Sequence, residues 1–178
     1  MKSIYNFPFT DDSTSYLYKT SAHIYGHYLS GLLLIRHFSN DNYRIVFTNE
    51  LGVKFFDLEF SNNEFIVHFA MKKLDKKPVM KVLENDFRLL LAVGLSNIGI
   101  DRTETAALTT LEFISGRENI QYLLKREPIS LLSCESFKKR NAKKASIQYQ
   151  SLNVGPPDTI KIVHHTIRLD IELNYIKR

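Results

Sequence analysis

A succession of short segments, each roughly ten residues long, constrains the fold of this chain more than any other feature. Aromatic and β-branched residues recur within the segments, and turn-forming residues separate them. Side chains of a strand alternate between its two faces, so this pattern is typical of an antiparallel meander. The predicted strands are 17–25, 28–38, 43–48, 53–60, 65–70, 103–115, 119–126, 129–137, 145–152, 160–164 and 166–176. We therefore predict about eleven antiparallel strands.

One segment, 75–93, has the period of a helix instead. Its apolar residues recur every three to four positions, which predicts an amphipathic helix. These residues are Val79, Leu83, Phe87, Leu90 and Leu91. Asp75 is placed to cap the helix, Pro78 fits its first turn, and Gly94 marks its end. A sheet with apolar residues on both faces, such as Ile45 and Val46, needs a cover, and the helix is one candidate.

The chain has 178 residues, of which 44% are hydrophobic and 12% aromatic, and this is enough for one sizeable core. No repeat or linker divides it, so we predict a single domain over 15–178. The polar stretch 1–14 has little to pack, and we interpret it as a flexible N-terminal arm. The predicted fold class is mainly β with one helix (α+β).

Motifs for catalysis or metal binding are missing from the sequence. There is no Gly-x-Ser-x-Gly nucleophile motif, and the six histidines lack the spacing of metal ligands. Cys134 is the only cysteine, which excludes an internal disulfide. The carboxylate pair Asp57 and Glu59 is interpreted as part of a solvated face. We expect no enzyme, no metal site and no cofactor; an enzyme assembled from distant residues is the weakest alternative.

The densest cluster of charge lies in a predicted turn at 138–144, in a chain of net charge +5. Its cations are Lys138, Lys139, Arg140, Lys143 and Lys144. The simplest interpretation is a solvated turn. The functional alternatives are contact with anionic lipid headgroups or with nucleic-acid phosphates. No aromatic residues lie between the cations to stack on bases, so nucleic acid is the less favoured partner.

Three stretches carry a resemblance to a known family. They are Tyr-Gly-His-Tyr-Leu-Ser-Gly-Leu-Leu at 25–33, Tyr-Arg-Ile-Val-Phe-Thr-Asn-Glu-Leu-Gly at 43–52 and Phe-Phe-Asp-Leu-Glu-Phe at 55–60. Together with Asp-Phe-Arg-Leu-Leu-Leu at 86–91, they resemble a family of bacterial envelope lipoproteins similar to the lipoprotein-localisation factors (LolA/LolB-like). The resemblance implies a curved antiparallel half-barrel with a helix across its concave face, around an apolar cavity for acyl chains.

If the resemblance extends to function, the chain is a non-enzymatic envelope domain that holds a lipid, a fatty acid or the acyl chains of a lipoprotein between sheet and helix. The implied wall residues are Phe56, Leu58, Phe65, Val67, Val79, Leu83, Phe87 and Leu91. The cations of the 138–144 turn would contact anionic headgroups at a membrane surface. An apolar cavity of several hundred Å³ is typical of such ligand sites.

The alternative is a structural or protein-interaction module with a filled core and no small-molecule ligand. The helix would then simply complete the core, as helices commonly do against sheets. Location depends on a similar choice. Taken literally, a sequence without a signal peptide predicts a cytoplasmic protein. If a leader was removed from a mature domain, the resemblance implies the periplasm or attachment to the outer membrane.

Overall fold

The computed structural model describes residues 7–24, 26–39, 41–95, 100–115, 118–138, 142–151 and 155–176. Within these ranges the chain forms twelve strands and one helix, α1 (Lys77–Leu91). The strands are β1 (Ser15–Ile24), β2 (His27–Ser39), β3 (Asn42–Thr48), β4 (Lys54–Ser61), β5 (Glu64–Ala70), β6 (Ile100–Glu104), β7 (Leu108–Ser115), β8 (Glu118–Arg126), β9 (Ile129–Lys138), β10 (Ala142–Gln150), β11 (Thr159–His164) and β12 (Leu169–Tyr175).

All twelve strands belong to one open antiparallel sheet, in the order β5-β4-β3-β2-β1-β12-β11-β10-β9-β8-β7-β6. Two meanders, β1 to β5 and β6 to β12, meet where the first strand pairs with the last, with Thr20 opposite Leu173. The helix connects β5 to β6, which are the two edge strands. It therefore crosses from one edge of the sheet to the other, and the arrangement fits a half-barrel.

The prediction of about eleven strands is corrected to twelve. The predicted strand 103–115 is interrupted by a turn, in which the Thr105 N–H donates to the Leu108 carbonyl (2.9 Å) and the Leu108 N–H donates to Thr105 Oγ1 (3.1 Å). The two arms of this hairpin are β6 and β7. Asp101, which precedes the predicted strand 103–115, also lies in β6.

The N-terminal stretch is more closely packed than its polar composition indicates. Phe7 and Phe9 are only 3% and 2% exposed. The Phe7 ring contacts Tyr122 edge-on at a centroid distance of 5.0 Å, and the Phe9 ring contacts Tyr16 at 5.1 Å. The interpretation of 1–14 as a flexible arm therefore does not fit residues 7–10; residues 11–13 are exposed, and residues 1–6 lie outside the described part of the chain.

Helix α1 is shorter than predicted and has a different cap. Lys76, not Asp75, occupies the N-cap, and its side chain makes no capping hydrogen bond. Pro78 lies in the first turn, as predicted, and Ala92 ends the helix with a positive φ of 51°. Its 15 residues are too few to span a bilayer. The described residues contain no helix that is long and apolar enough to do so.

The core lies between α1 and one face of the sheet. That face carries fully buried residues such as Tyr43, Ile45 and Phe47, which alternate with half-buried ones. The helix covers this face, because Phe87 packs against Phe56 at a ring-centroid distance of 6.0 Å. Val46, on the opposite face, stays half-buried. The helix is thus not the cover for the second apolar face.

Candidate binding site beneath helix α1

The C-terminal half of α1 is bound to the sheet by tyrosine hydroxyls. The Tyr122 hydroxyl on β8 donates to the Leu89 carbonyl (2.8 Å), and the Tyr149 hydroxyl on β10 donates to the Leu90 carbonyl (3.5 Å). Both tyrosines are buried. Carbonyls in the last turn of a helix lack partners within the helix, so these hydroxyls satisfy groups that would otherwise be buried without a hydrogen bond.

A buried carboxylate adds a second link. Asp86 Oδ1 lies 2.8 Å from His164 Nε2 on β11, and the two side chains are 1% and 3% exposed. Burial raises the pKa of the Asp86 carboxyl, and the hydrogen bond with His164 acts in the opposite direction without cancelling the effect. A buried charge of this kind is retained only with a partner. The pair therefore fixes the middle of α1 against the second meander.

A third link joins the helix to the first meander. The Arg88 guanidinium donates to Asn63 Oδ1 (2.6 Å) and to the Asn63 carbonyl (2.7 Å) in the turn between β4 and β5. Beyond the helix, the Gly94 N–H donates to Asp41 Oδ2 (2.8 Å). The C-terminal half is thus tied to both halves of the sheet.

The N-terminal half of α1 has no such links in the described structure. Among the described residues, the only side-chain hydrogen bond from residues 76–83 is the exposed one between Lys81 and Glu84, within the helix itself. The first turn contains no acidic residue. Contact with the sheet rests on buried apolar side chains, chiefly Val79 and Leu83. This half is held by packing alone.

Two spaces adjoin α1, one beneath its C-terminal half and one beside its start. The first, which we call the apolar void, is beneath Phe87 and has a volume of about 10 Å³. Its walls include Ala22, Ile24, Leu33, Phe47, Phe56 and Phe87. The second, the mouth pocket, lies between the β1–β2 hairpin and the start of α1, and its volume is about 190 Å³. Ile24 lines both, so the two spaces lie on either side of this side chain.

A third space, the polar cavity, lies on the other side of α1 against β8 to β11 and has a volume of about 310 Å³. The small side chains of Ala145 and Ser136, which lie opposite each other on adjacent strands, leave room for it. His164 lies opposite Ala145 on the other side. Asp86 Oδ2 and Ser136 Oγ are buried there and have no hydrogen-bond partner among the described residues. Sequence reasoning missed this cavity and the Asp86–His164 pair.

The predicted wall residues occupy different places. Phe56 and Phe87 line the apolar void, and Val79 lines the mouth pocket. Leu58, Leu83 and Leu91 are buried in the core. On the edge strand β5, Phe65 is half-buried and Val67 is 40% exposed. A role in ligand binding stays a prediction for all eight.

The predicted basic turn is partly engaged by acidic neighbours. The Lys143 ammonium lies 2.6 Å from Glu135, and that of Lys144 lies 2.5 Å from Glu118. Lys138 is exposed, whereas Lys139 and Arg140 lie outside the described residues. Contact of this turn with an anionic surface stays a prediction.

The carboxylate pair Asp57 and Glu59 and the thiol of Cys134 have structural surroundings. Arg44 lies 2.5 Å from Asp57 and 2.6 Å from Glu59. Burial alone would raise the pKa of Asp57, but hydrogen bonds from Arg44 and Lys54 lower it. Burial raises the pKa of the Cys134 thiol, which disfavours the reactive thiolate. No group of three possible metal ligands occurs among the described residues.

No protein-family model matches the chain, and no curated protein matches it. Among solved structures, the chain is similar to a LolA superfamily protein from Nitrosomonas europaea, with a TM-score of 0.63 and 8% identity over 97% of this chain and 88% of the other. The chain has the LolA-like fold. The resemblance seen in the sequence is therefore confirmed at the level of the fold.

Two further structures share the LolA-like fold. One, from Vibrio parahaemolyticus, is named as an outer membrane lipoprotein-sorting protein domain; its TM-score is 0.51 at 10% identity, over 94% of this chain and 86% of the other. The other is a DUF1329 family protein from Desulfovibrio piger, with a TM-score of 0.52 and 8% identity over 94% and 85%. At these identities the likeness concerns the fold.

Proposed function

We propose that this chain is a non-enzymatic domain of the bacterial cell envelope that binds an acyl chain, from a lipid or a lipoprotein, beneath the N-terminal half of α1. One observation carries the proposal. The mouth pocket lies beside the start of α1, in the half of the helix that is held by packing alone, and it shares Ile24 with the apolar void beneath Phe87. The lipoprotein-sorting name of the domain from Vibrio parahaemolyticus supports the envelope location.

The void of about 10 Å³ cannot hold an acyl chain, so the helix must move outward during binding. Exposing Val79 and Leu83 would cost roughly 3–6 kcal/mol, at about 1.5–3 kcal/mol for each buried side chain. A chain of about 14 methylenes gains roughly 11 kcal/mol when it is buried, at about 0.8 kcal/mol for each. The free energy gained by burying the acyl chain therefore exceeds the cost of exposing Val79 and Leu83. The polar links keep the C-terminal half in place.

The 138–144 turn is proposed to contact anionic headgroups at the membrane. Strand directions support this role. In the antiparallel order, β5, which leads to α1, and β9, which leads to the turn, run in the same direction, so α1 and the turn begin at the same end of the half-barrel. The mouth pocket and the turn would then approach a bilayer together.

Native mass spectrometry of the purified protein, before and after organic extraction, tests acyl-chain binding. We expect a co-purifying lipid, or uptake of a fluorescent fatty acid after extraction. Ile24→Thr should weaken uptake, because it places a hydroxyl where the mouth pocket meets the void, and His23→Thr on the opposite strand face is the matched control. Neither lipid nor uptake, in a protein shown to be folded, would refute the proposal.

A filled interior favours a second candidate, a protein-interaction module. The apolar space beneath α1 is only about 10 Å³. The edge strand β6 is exposed along its whole length, and β5 exposes Phe69 (44%). Open edge strands are templates for pairing with another chain. If fatty acids leave the melting temperature unchanged, this candidate gains and the acyl-chain proposal fails.

A further inference from the structure

Four lysines lie between the end of β5 and the first residue of α1, beside the mouth pocket. This group consists of Lys72, Lys73, Lys76 and Lys77, with Asp75 as the one acidic residue between them. All four lysines are exposed. Within the described part of the chain, none of them lies within ion-pair distance of a carboxylate, in contrast to Lys143 and Lys144 of the basic turn. Their charge is therefore available to a ligand.

Two of these lysines belong to the wall of the mouth pocket itself. Lys73 and Lys76 line it together with the apolar side chains of Ile24, Leu74 and Val79. Long lysine stems pack along apolar surface while their ammonium groups stay in water. The pocket thus has cations at its rim and an apolar floor that includes Ile24, which also lines the void.

Such a pocket matches an amphiphile with an anionic head. We propose that Lys73 and Lys76 bind the carboxylate or phosphate of an amphiphile whose apolar tail enters beneath α1. This inference rests on the proposed function, because it assigns a head group to the acyl chain that the domain binds. It goes beyond that function by naming the class of ligand: anionic amphiphiles, in preference to neutral ones of the same chain length.

The polar cavity is the competing place for a head group, and its charges argue against an anion there. It contains the carboxylates of Asp86 and Glu118. The Lys144 ammonium and the Arg88 guanidinium at its wall are already engaged, by Glu118 at 2.5 Å and by Glu84 at 3.1 Å. Lys73 and Lys76 at the mouth pocket have no carboxylate partner among the described residues, and they lie at the opposite end of the helix.

The test compares laurate with dodecanol, which share a chain length and differ in the head group. Both are titrated against a neutral fluorescent acyl probe bound to the full chain. We expect laurate to bind about tenfold more tightly, since two surface cations each contribute modestly to anion binding. The preference should decline as salt is added, because the lysines are exposed to solvent.

The variant Lys73→Gln/Lys76→Gln should reduce laurate affinity to that of dodecanol and leave dodecanol binding unchanged. The matched control, Lys125→Gln/Lys161→Gln, removes two exposed lysines elsewhere on the sheet and should keep the preference. Equal affinities in the unaltered protein, or a preference that persists in the first variant, would overturn the head-group inference and leave the proposed function standing. Binding of neither compound would overturn both.

Inorganic phosphate and dodecyl phosphate distinguish the source of the anion. An amphiphile site predicts that dodecyl phosphate displaces the probe and that inorganic phosphate does so only at far higher concentration. Equal potency of the two would show a site for free anions, and this would overturn the inference.

Discussion

Replacement of Phe87 by alanine tests how the helix fills the half-barrel. Phe87 is 2% exposed, packs against Phe56 and lines the apolar void. Truncation of a buried phenylalanine costs about 3–5 kcal/mol, and the cost is smaller where the surroundings can collapse. Because the links of Asp86 and Arg88 flank Phe87 and limit how far the helix can collapse, we expect a loss of about 3–4 kcal/mol in the free energy of unfolding.

Urea denaturation followed by circular dichroism measures this loss. With an m-value of about 2 kcal/mol/M, the midpoint should fall by about 1–2 M. The same variant should bind a fluorescent fatty acid more tightly, because the lost ring leaves room beneath α1 and less of the helix must move. Fatty acid at about 100 times its Kd should then restore about 2.7 kcal/mol.

Lys81→Ala is the control on the exposed face of the helix. Its ion pair with Glu84 joins two residues one turn apart, at 2.9 Å, and such exposed pairs contribute at most about 0.5 kcal/mol. A loss below about 1 kcal/mol for Phe87→Ala would show that the helix does not pack as described. A large loss together with weaker fatty-acid uptake would contradict the idea that Phe87 occupies the path of the ligand.

Three further predictions concern contacts around the core. Tyr122→Phe removes the hydroxyl bonded to the Leu89 carbonyl; it should cost about 1–3 kcal/mol and speed hydrogen exchange in the last turn of α1, whereas unchanged exchange would contradict this link. Arg44→Gln should cost about 1–3 kcal/mol near neutral pH. The low pKa of Asp57 gives stability that is present above its ordinary pKa and lost as pH falls, so the difference between variant and unaltered protein, measured by denaturation, should shrink below about pH 4. Cys134 should react with a thiol reagent only in denaturant; rapid reaction of the folded protein would show that the thiol is accessible.

Periodicity alone predicted most of the strands, because buried residues alternate along them. β6 was missed, since all five of its residues are exposed and Ile100–Glu104 carries no alternation. The packing of Phe7 was missed because an aromatic residue in a polar stretch gives no periodic signal. Asp75 was predicted as the N-cap because of its residue type. Capping also depends on backbone geometry, and Lys76 occupies the N-cap position.

The candidate site was less accessible to sequence reasoning than the fold. Phe56 and Phe87 were among the wall residues that the resemblance implied, and both line the void. Asp86 and His164 are 78 residues apart, and no local pattern joins them. One signal was present: Asp86 is a charged residue among apolar ones near the buried face of a helix. Lys73 and Lys76 of the mouth pocket were overlooked because the cations of the 138–144 turn are more densely spaced.

Photo-crosslinking with a fatty acid that carries a diazirine in mid-chain tests the central claim most directly, because it locates the ligand. After irradiation and digestion, mass spectrometry identifies the labelled peptides. Our account predicts label on the peptides that contain Ile24, Phe56 and Phe87, and competition by unlabelled fatty acid. Label confined to the outer face of the sheet, or none above the level of the denatured protein, would contradict binding beneath α1.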